Sequence, residues 1–394
     1  MKKKVFLSVF LPIIVIILAL VAVPFVQAYT IDEGLVLTAQ DIDNARIGAF
    51  ELDVADDLPV DAKGLTDAEA SLRLFGIIPI RTINVKVLTD TSVCAGGSLL
   101  GFDLDAGGVE ILGFNSVLTR DGEKNPIKDI GLKKGDLIIS LDKVAVSSLE
   151  DIDRILNGDK KGDEIQLEYI RQGKTYTALV IPQKDMLSGK YKLGLWVKNS
   201  TNGIGTLTYV KADGRFGAVG HAITDGNAPL SKSQTGDVYN AKFLGATKGA
   251  RNSPGEVKAS IEWSKGSIGK VDTNSQYGIF GELETKTTNE PIELGSRFAV
   301  KPGKAYIRTQ ADGTGVKDYE IKIIKAVKQK RASEKSIVFK VVDKNLLTLT
   351  NGIVQGMSGS PIIQDGRLVG SVTHVFLNDS TKGYGVYIDW MLEQ

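Results

Sequence analysis

The chain has 394 residues, 42% hydrophobic and 24% charged, an ordinary globular balance with room for two domains and appendages. A formal net charge of +1 leaves no electrostatic footprint for nucleic acid, and a single cysteine excludes an intrachain disulfide. Two histidines and that one cysteine argue against a zinc site, and nothing in the sequence calls for a metal or a cofactor.

Met1-Lys2-Lys3-Lys4 precedes an apolar run from Val5 to Val26 broken only by Ser8, Pro12 and Pro24. Basic residues ahead of such a run stay on the cytoplasmic side, so residues 1–28 are expected to direct export across the cytoplasmic membrane. The length suits a retained anchor, and the ending Val26-Gln27-Ala28 suits a cleaved signal peptide. Residues 29–92 give a weaker signal. Acidic, loop-like sequence around Asp53-Val54-Ala55-Asp56-Asp57 comes before an apolar, β-branched stretch from Leu74 to Val87 that predicts one or two strands. The region is expected to be a tether and β-rich adapter that spaces the later domains from the membrane.

Residues 93–184 have the pattern of a PDZ domain. Ile130-Gly131-Leu132-Lys133-Lys134-Gly135-Asp136 sets a glycine-bounded turn ahead of the apolar strand Leu137-Ile138-Ile139-Ser140-Leu141. Ser148 with Asp151 in the following turn reads as a helix cap, and Leu149, Ile152, Ile155 and Leu156 recur at helical spacing behind it. Two strands, 164–170 and 176–181, follow on either side of Gln172-Gly173-Lys174. A PDZ domain adds an extended peptide beside its own sheet and holds the terminal carboxylate on backbone amides. Gly96, Gly97, Leu100 and Gly101, between Ala95 and Phe102, have the composition for that loop. Its ligand would be a free C-terminus of this chain, of a substrate or of a regulator; a plain glycine loop is the alternative.

From 186 to 394, short apolar stretches such as Gly203-Ile204-Gly205-Thr206-Leu207-Thr208-Tyr209-Val210 alternate with Gly, Asn, Asp and Pro, which predicts a β barrel or sandwich with little helix. The basic run Lys325-Ala326-Val327-Lys328-Gln329-Lys330-Arg331 reads as a solvated face. Within this region Gly356-Met357-Ser358-Gly359-Ser360-Pro361 sets a serine between glycines. A serine hydroxyl becomes an effective nucleophile only when an imidazole takes its proton and a third group fixes the tautomer. The chain offers two histidines for that role, His221 and His374. Glycines at 356 and 359 permit a tight turn that aims the N–H groups of Gly356 and Ser358 at a developing oxyanion. The same run also suits an ordinary turn. The hairpin predicted just downstream, with Asp365-Gly366 at its tip, sets the serine at the mouth of a barrel instead. Ser358 is the predicted nucleophile and His221 its base. Ser360 is a rival serine, and His374 is expected to be structural or to contribute to substrate selection.

Around this serine the chain is similar to chymotrypsin-like peptidases. More specifically, His221 in Gly-His-Ala-Ile-Thr-Asp, the stretch 352–361, and the tail Thr373-His374-Val375-Phe376 with Gly383-Tyr384-Gly385-Val386 resemble the stage IV sporulation protein B (SpoIVB) peptidase family. The resemblance covers most of the chain after about residue 90. It implies a mainly β protein, with a PDZ domain followed by a chymotrypsin-like double β-barrel peptidase domain, behind an N-terminal hydrophobic export or anchor segment. It implies catalytic roles for His221 and Ser358 and puts the acid at Asp343, although chymotrypsin-like enzymes keep the acid nearer the histidine. A strand-end turn residue is the other reading of Asp343, and Asp225 is the substitute acid by proximity. Met357 stands where many such enzymes carry an aspartate that pairs with a newly cut N-terminus, so activity without such a cut is expected. The resemblance further implies an exported serine endopeptidase of sporulation, working between the forespore and mother-cell membranes. There it would cleave itself and a membrane-associated regulator, so that an intramembrane protease processes a late sigma factor. The competing expectation is a non-catalytic PDZ adapter on a degenerate protease-like barrel.

Overall fold

The computed structural model describes residues 22–394 apart from 32, 39–41, 43–44, 55–64, 89–91, 159–161, 225–233, 286–289 and 330–331. Most of the apolar N-terminal run therefore lies outside the described residues, and no described helix is long and apolar enough to cross a membrane. The first described unit is a five-stranded sheet ordered Leu35–Thr38, Ile78–Leu88, Leu65–Leu74, Phe50–Val54, Arg46–Ile47. Along Ile78–Leu88 the side chains of Ile83, Val85 and Val87 are buried while Thr82 and Asn84 face water, the period of two expected of a strand with one covered face.

Two strands of 16 residues each, Leu99–Phe114 and Leu195–Val210, organise the remainder. They run antiparallel from Phe114 opposite Leu195 at one end to Leu99 opposite Thr206 at the other, with a register shift between Lys198 and Ser200 that leaves 106–109 out of the ladder. At roughly 3.3 Å per residue each is about 50 Å long, enough to serve two hydrophobic cores in series. At one end, Val109 and Ile111 join Ile138, Leu141, Leu156, Ile165 and Leu167 in the core of the PDZ unit. At the other, Leu100, Phe102 and Leu104 join Leu207, Phe216, Val238 and Ile279 in a barrel core. A second barrel core holds Ile307, Ile321, Phe339, Ile362, Val372 and Val386. The protein is thus mainly β, with a PDZ unit and a protease-like barrel.

Of the boundaries expected from the sequence, 93–184 for a PDZ domain and 186–394 for a peptidase domain, the start of the PDZ span needs correction. Ser92–Ala95 pairs with Tyr209 and Val210 and with Pro291–Leu294, and Leu100–Leu104 pairs with Gly236–Asn240, so residues from 92 to about 105 are barrel strands. The PDZ unit is inserted between the two long strands. Its helix, Leu149–Leu156, has the capping box read from the sequence: Asp151 N–H donates to Ser148 Oγ and Ser148 N–H to Asp151 Oδ2, each at 3.1 Å.

The N-terminal sheet is fixed to the barrel. Val36 and Leu88 pack into the same core as Trp390 and Met391 of the C-terminal helix Ile388–Leu392. Beside this contact Arg297 is fully buried, its guanidinium stacked 3.9 Å over the Trp390 ring and 3.2 Å from an Asp389 carboxylate oxygen. Neither partner's side chain has hydrogen-bond geometry here, so the pair is held by charge and stacking. Burial raises the Asp389 carboxyl, and burial with the nearby Asp389 charge pushes Glu393 up to about 7. Removing one member of a buried pair strands the other, so Arg297→Ala is expected to lower unfolding free energy by about 3–5 kcal/mol in urea denaturation. The pH dependence has a definite sign. Glu393 is raised in the folded state, so its contribution is complete below the ordinary glutamate range and is lost as pH rises through about 7. Glu393→Gln should flatten the decline in stability between pH 5 and pH 8, measured as the urea midpoint.

Candidate active site

His221 is presented by a strained turn. After strand Arg215–Ala218, Val219 has φ +70° and the Gly220 amide donates to the Ala218 carbonyl at 2.8 Å, closing a three-residue γ-turn. A β-branched residue in that region is unfavourable and must be held by its surroundings. The Val219 amide is held by the Thr206 carbonyl at 3.0 Å, and Gly220 lies so close to Ser371 and Val372 that a Cβ would sit 3.0 Å from both. The imidazole Nδ1 is 2.8 Å from the Ala222 carbonyl oxygen. A carbonyl can only accept, so Nδ1 carries the proton and Nε2 keeps its lone pair, the tautomer a general base needs. Behind the histidine, wholly buried Asn274 accepts from Ile223 N–H at 3.1 Å and donates to the Ile223 carbonyl and to Gln234 Oε1, both at 2.7 Å. It fastens both flanks of 225–233. Asp225 lies in that stretch, outside the described residues.

Ser358 lies on a turn built as the glycine spacing required. Gly356 and Gly359 have φ +91° and +97°, and a Cβ on Gly359 would collide with the Thr206 carbonyl and the Val219 amide. The turn is pinned to strand Leu195–Val210: Thr206 N–H donates to the Ser358 carbonyl and Thr206 Oγ1 to the Gly356 carbonyl, both at 2.8 Å, and Thr208 Oγ1 donates to the Gly359 carbonyl at 2.7 Å. The amides of Gly356 and Ser358 donate to no backbone carbonyl among the described residues, and both residues line the cleft. Met357 is fully buried in the second barrel core. Ser360 is also fully buried, with its hydroxyl donated to the Met357 carbonyl at 2.7 Å, which leaves Ser358 as the accessible serine.

His221 and Ser358 line one cavity of about 790 Å³ between the two barrel cores, together with Ile204, Thr373, His374 and Glu334. The Ser358 hydroxyl donates to the Thr373 carbonyl at 2.9 Å. His374 stands next to His221, ring centroids 5.3 Å apart and planes tilted by 36°. Its Nε2 is 3.8 Å from Glu334 Oε2, within ion-pair distance, yet burial, His221 and Lys335 push its pKa down to about 4. The ring is therefore neutral near pH 7, and no ion pair forms there. Its Nδ1 is buried without a hydrogen-bond partner.

Two sequence assignments need correction. Asp343 is not brought to the imidazole: it is the N-cap of the helix Lys344–Thr350, its Oδ1 accepting from Asn345 and Leu346 amides at 2.9 and 3.0 Å, and it does not line the cleft. The physical reason is local, since an aspartate directly before a helix satisfies that helix's free amides. Gly96, Gly97, Leu100 and Gly101 do not form a PDZ loop. Leu100 is in the barrel core, Gly96 backs onto Leu207, Gly97 onto Val316 and Arg308, and Gly101 onto Ile261. The groove of the PDZ unit, about 550 Å³, instead lies between helix Leu149–Leu156 and the segment Tyr191–Val197, which contains Leu193-Gly194-Leu195 with Gly194 at φ +69°. Among the described strands, residues 195–197 pair on one side only, with Ile111–Phe114, which leaves an edge for a peptide strand. The sequence signal was a glycine between two leucines at the start of a strand, outside the segment read as PDZ.

The profile of the SpoIVB peptidase S55 family matches residues 189–392, and that of a PDZ domain matches residues 115–181. Among solved structures, the PDZ domain of an SdrC-like protein from Listeria monocytogenes is 25% identical, covering 23% of this chain and 87% of that one with a TM-score of 0.19. The active form of the Rv3671c protease from M. tuberculosis is 12% identical, covering 49% of this chain and 74% of that one with a TM-score of 0.28. Its inactive form is also 12% identical, covering 48% and 81% with a TM-score of 0.25. Comparison with curated proteins gives no match.

Asp343→Asn separates the two roles of that residue, because asparagine caps a helix as well as aspartate does, whereas a triad acid changed to asparagine loses about 10⁴ in rate. From its position as a cap, Asp343→Asn is expected to leave the melting temperature within a few degrees, and the rate of serine labelling by a fluorophosphonate within a few-fold, of the parent.

Proposed function

The chain belongs to the SpoIVB peptidase S55 family, and from that premise we propose that it is a serine endopeptidase working through His221 and Ser358. The observation that supports this most is the meeting, in one cleft, of an accessible serine, a histidine held in the basic tautomer and two unengaged amides. In the proposed reaction the Ser358 hydroxyl leaves the Thr373 carbonyl by rotation about its side-chain bond and gives its proton to His221 Nε2. The oxygen attacks a peptide carbonyl, whose developing oxyanion is met by the Gly356 and Ser358 amides. His221 returns the proton to the leaving amine, and water releases the acyl-enzyme by the same sequence run again.

The finer reading follows the family resemblance. The protein would act during sporulation, exported across the cytoplasmic membrane by residues 1–28, in the space between the forespore and mother-cell membranes. Its substrates would be itself and a membrane-bound regulator whose cleavage starts intramembrane processing of a late sigma factor. The continuous strand Leu195–Val210 offers a physical route for control: residues 195–197 form one wall of the PDZ groove, Ile204 lines the catalytic cleft and Thr206 holds the serine turn. A peptide seated on the free edge would bias the position of that strand and hence of the Ser358 turn.

One observation favours the adapter reading. In this conformation the serine hydroxyl rests on Thr373, and no described carboxylate touches His221. Active-site labelling decides between the two. The peptidase reading expects fluorophosphonate to modify the exported part, with the signal abolished by Ser358→Ala and greatly reduced by His221→Ala; a folded chain that is never labelled would favour the adapter. For control through the strand, a peptide with an apolar C-terminus is expected to change the labelling rate, and Leu149→Lys, in the groove wall, to remove that response. Saturating peptide binding with no change in labelling would refute the coupling while leaving the peptidase in place.

A further inference from the structure

The N-terminal sheet carries an apolar feature that neither core uses. Strands Leu65–Leu74 and Ile78–Leu88 form a hairpin in which Leu74 pairs with Ile78, and its tip is Phe75-Gly76-Ile77. Leu74 is the last buried residue; beyond it Phe75 is 71% exposed, Ile77 77% and Ile78 52%. Turn positions with positive φ favour Gly, Asn or Asp, yet here Phe75 has φ +54° and Gly76 φ +74°. A large aromatic side chain is thus held out into solvent by a backbone conformation that disfavours it, fixed by the Phe75 amide on the Ala49 carbonyl at 2.8 Å.

The position of the tip indicates what covers it. The chain enters the sheet from helix 22–28, whose last residue, Ala28, is buried in the sheet's core together with Ile31. The neighbouring Tyr29 packs under the guanidinium of Arg81 at 5.3 Å, and Arg81 also donates to the Ile31 carbonyl. Arg81 is near the tip end of strand Ile78–Leu88, so the helix emerges at the same end of the sheet as the hairpin tip. Val23, Phe25 and Val26 on that helix are exposed as well, and in the sequence they are the end of the apolar run that begins at Val5. Behind the exposed apolar side chains lie Tyr29 and a belt of ion pairs, Arg73 with Asp53, Arg81 with Glu33 and Arg46 with Glu51, whose carboxylate lies against Gly76 of the tip. Aliphatic and aromatic groups outermost, with tyrosine and charged pairs behind them, is the order of a protein that dips into a bilayer as far as the headgroups.

We propose that the hairpin tip Phe75–Ile78 is a second membrane contact, inserted into the surface of the bilayer that the N-terminal segment enters. Because the sheet is packed against the barrel through Val36 and Leu88, two contacts rather than one fix the height and tilt of the catalytic cleft above the lipid. The inference rests on the reading of residues 1–28 as membrane-directed and is independent of catalysis.

The test uses the full chain, with Cys94→Ser, reconstituted in phosphatidylcholine–phosphatidylglycerol vesicles and carrying the environment-sensitive dye NBD on Ile77→Cys or, as control, on Leu244→Cys, a barrel residue 63% exposed. Emission from position 77 is expected to shift to the blue and to be quenched several-fold more by nitroxide-labelled lipids than emission from 244. With the dye on Phe75→Cys, Ile77→Asp should remove that quenching without changing the melting temperature. If the chain stays on vesicles while the label at 77 behaves like the control, the hairpin contact is wrong and the N-terminal reading stands. A chain that never associates with vesicles overturns both. A blue shift that follows protein density and not lipid quenching assigns the tip to a second copy of the chain, which also overturns the proposal.

Discussion

Thr206 is the residue on which the two halves of the cleft depend. Its amide and hydroxyl both donate to the serine turn, to the carbonyls of Ser358 and Gly356, and its own carbonyl accepts from Val219 beside the histidine. Three hydrogen bonds at one fully buried residue therefore tie the Ser358 turn to the turn that presents His221. In a dry environment an unmade bond of this kind costs about 1–3 kcal/mol, so neither loop can move far on its own. Gly359 is the complement: its missing side chain allows the turn to press directly on Thr206 and Val219.

The histidine side of the cleft is held by opposing demands. Val219 is kept in a conformation that stores on the order of 1–3 kcal/mol of strain, against the hydrogen bonds of Thr206 and the close contact of Gly220 with the strand Arg367–Phe376. That strand also supplies the Thr373 carbonyl that receives the Ser358 hydroxyl and the His374 ring that stands beside His221. The Ala222 carbonyl does for the imidazole what a triad carboxylate does for tautomer choice, but it brings no full negative charge to stabilise an imidazolium. In this geometry Nε2 of His221 keeps its lone pair and the Ser358 hydroxyl is turned toward Thr373.

Insertion of the PDZ unit changes what the long strands mean. A domain joined by a tether moves independently, whereas this one is entered and left through two strands that pair on both sides of a register shift between Lys198 and Ser200. The exposed Trp196, in the groove wall, and Thr206, under the serine, are on the same strand. The N-terminal sheet is joined to the barrel differently, through shared side-chain packing near the buried Arg297 and Asp389.

The glycine-flanked turn at Ser358, the PDZ helix with its capping box and the mainly β character were all legible in the sequence, because each is written in a few adjacent residues whose backbone preferences and hydrogen bonds are local. Ser148 and Asp151 cap a helix whatever surrounds them, and glycines on either side of Ser358 permit one kind of turn. What the tertiary structure alone decided concerns residues distant in the chain. Gly96-Gly97 and Leu193-Gly194-Leu195 look alike as glycine loops, and only strand pairing assigns the first to the barrel and the second to the PDZ groove. The work of Thr206 and Asn274 was hidden for the same reason, since a polar residue in an apolar strand announces a partner without naming it. Asp343 reads as a catalytic acid, with a strand-end turn residue as the other reading, until the helix that it begins is seen, whose first amides donate to its Oδ1.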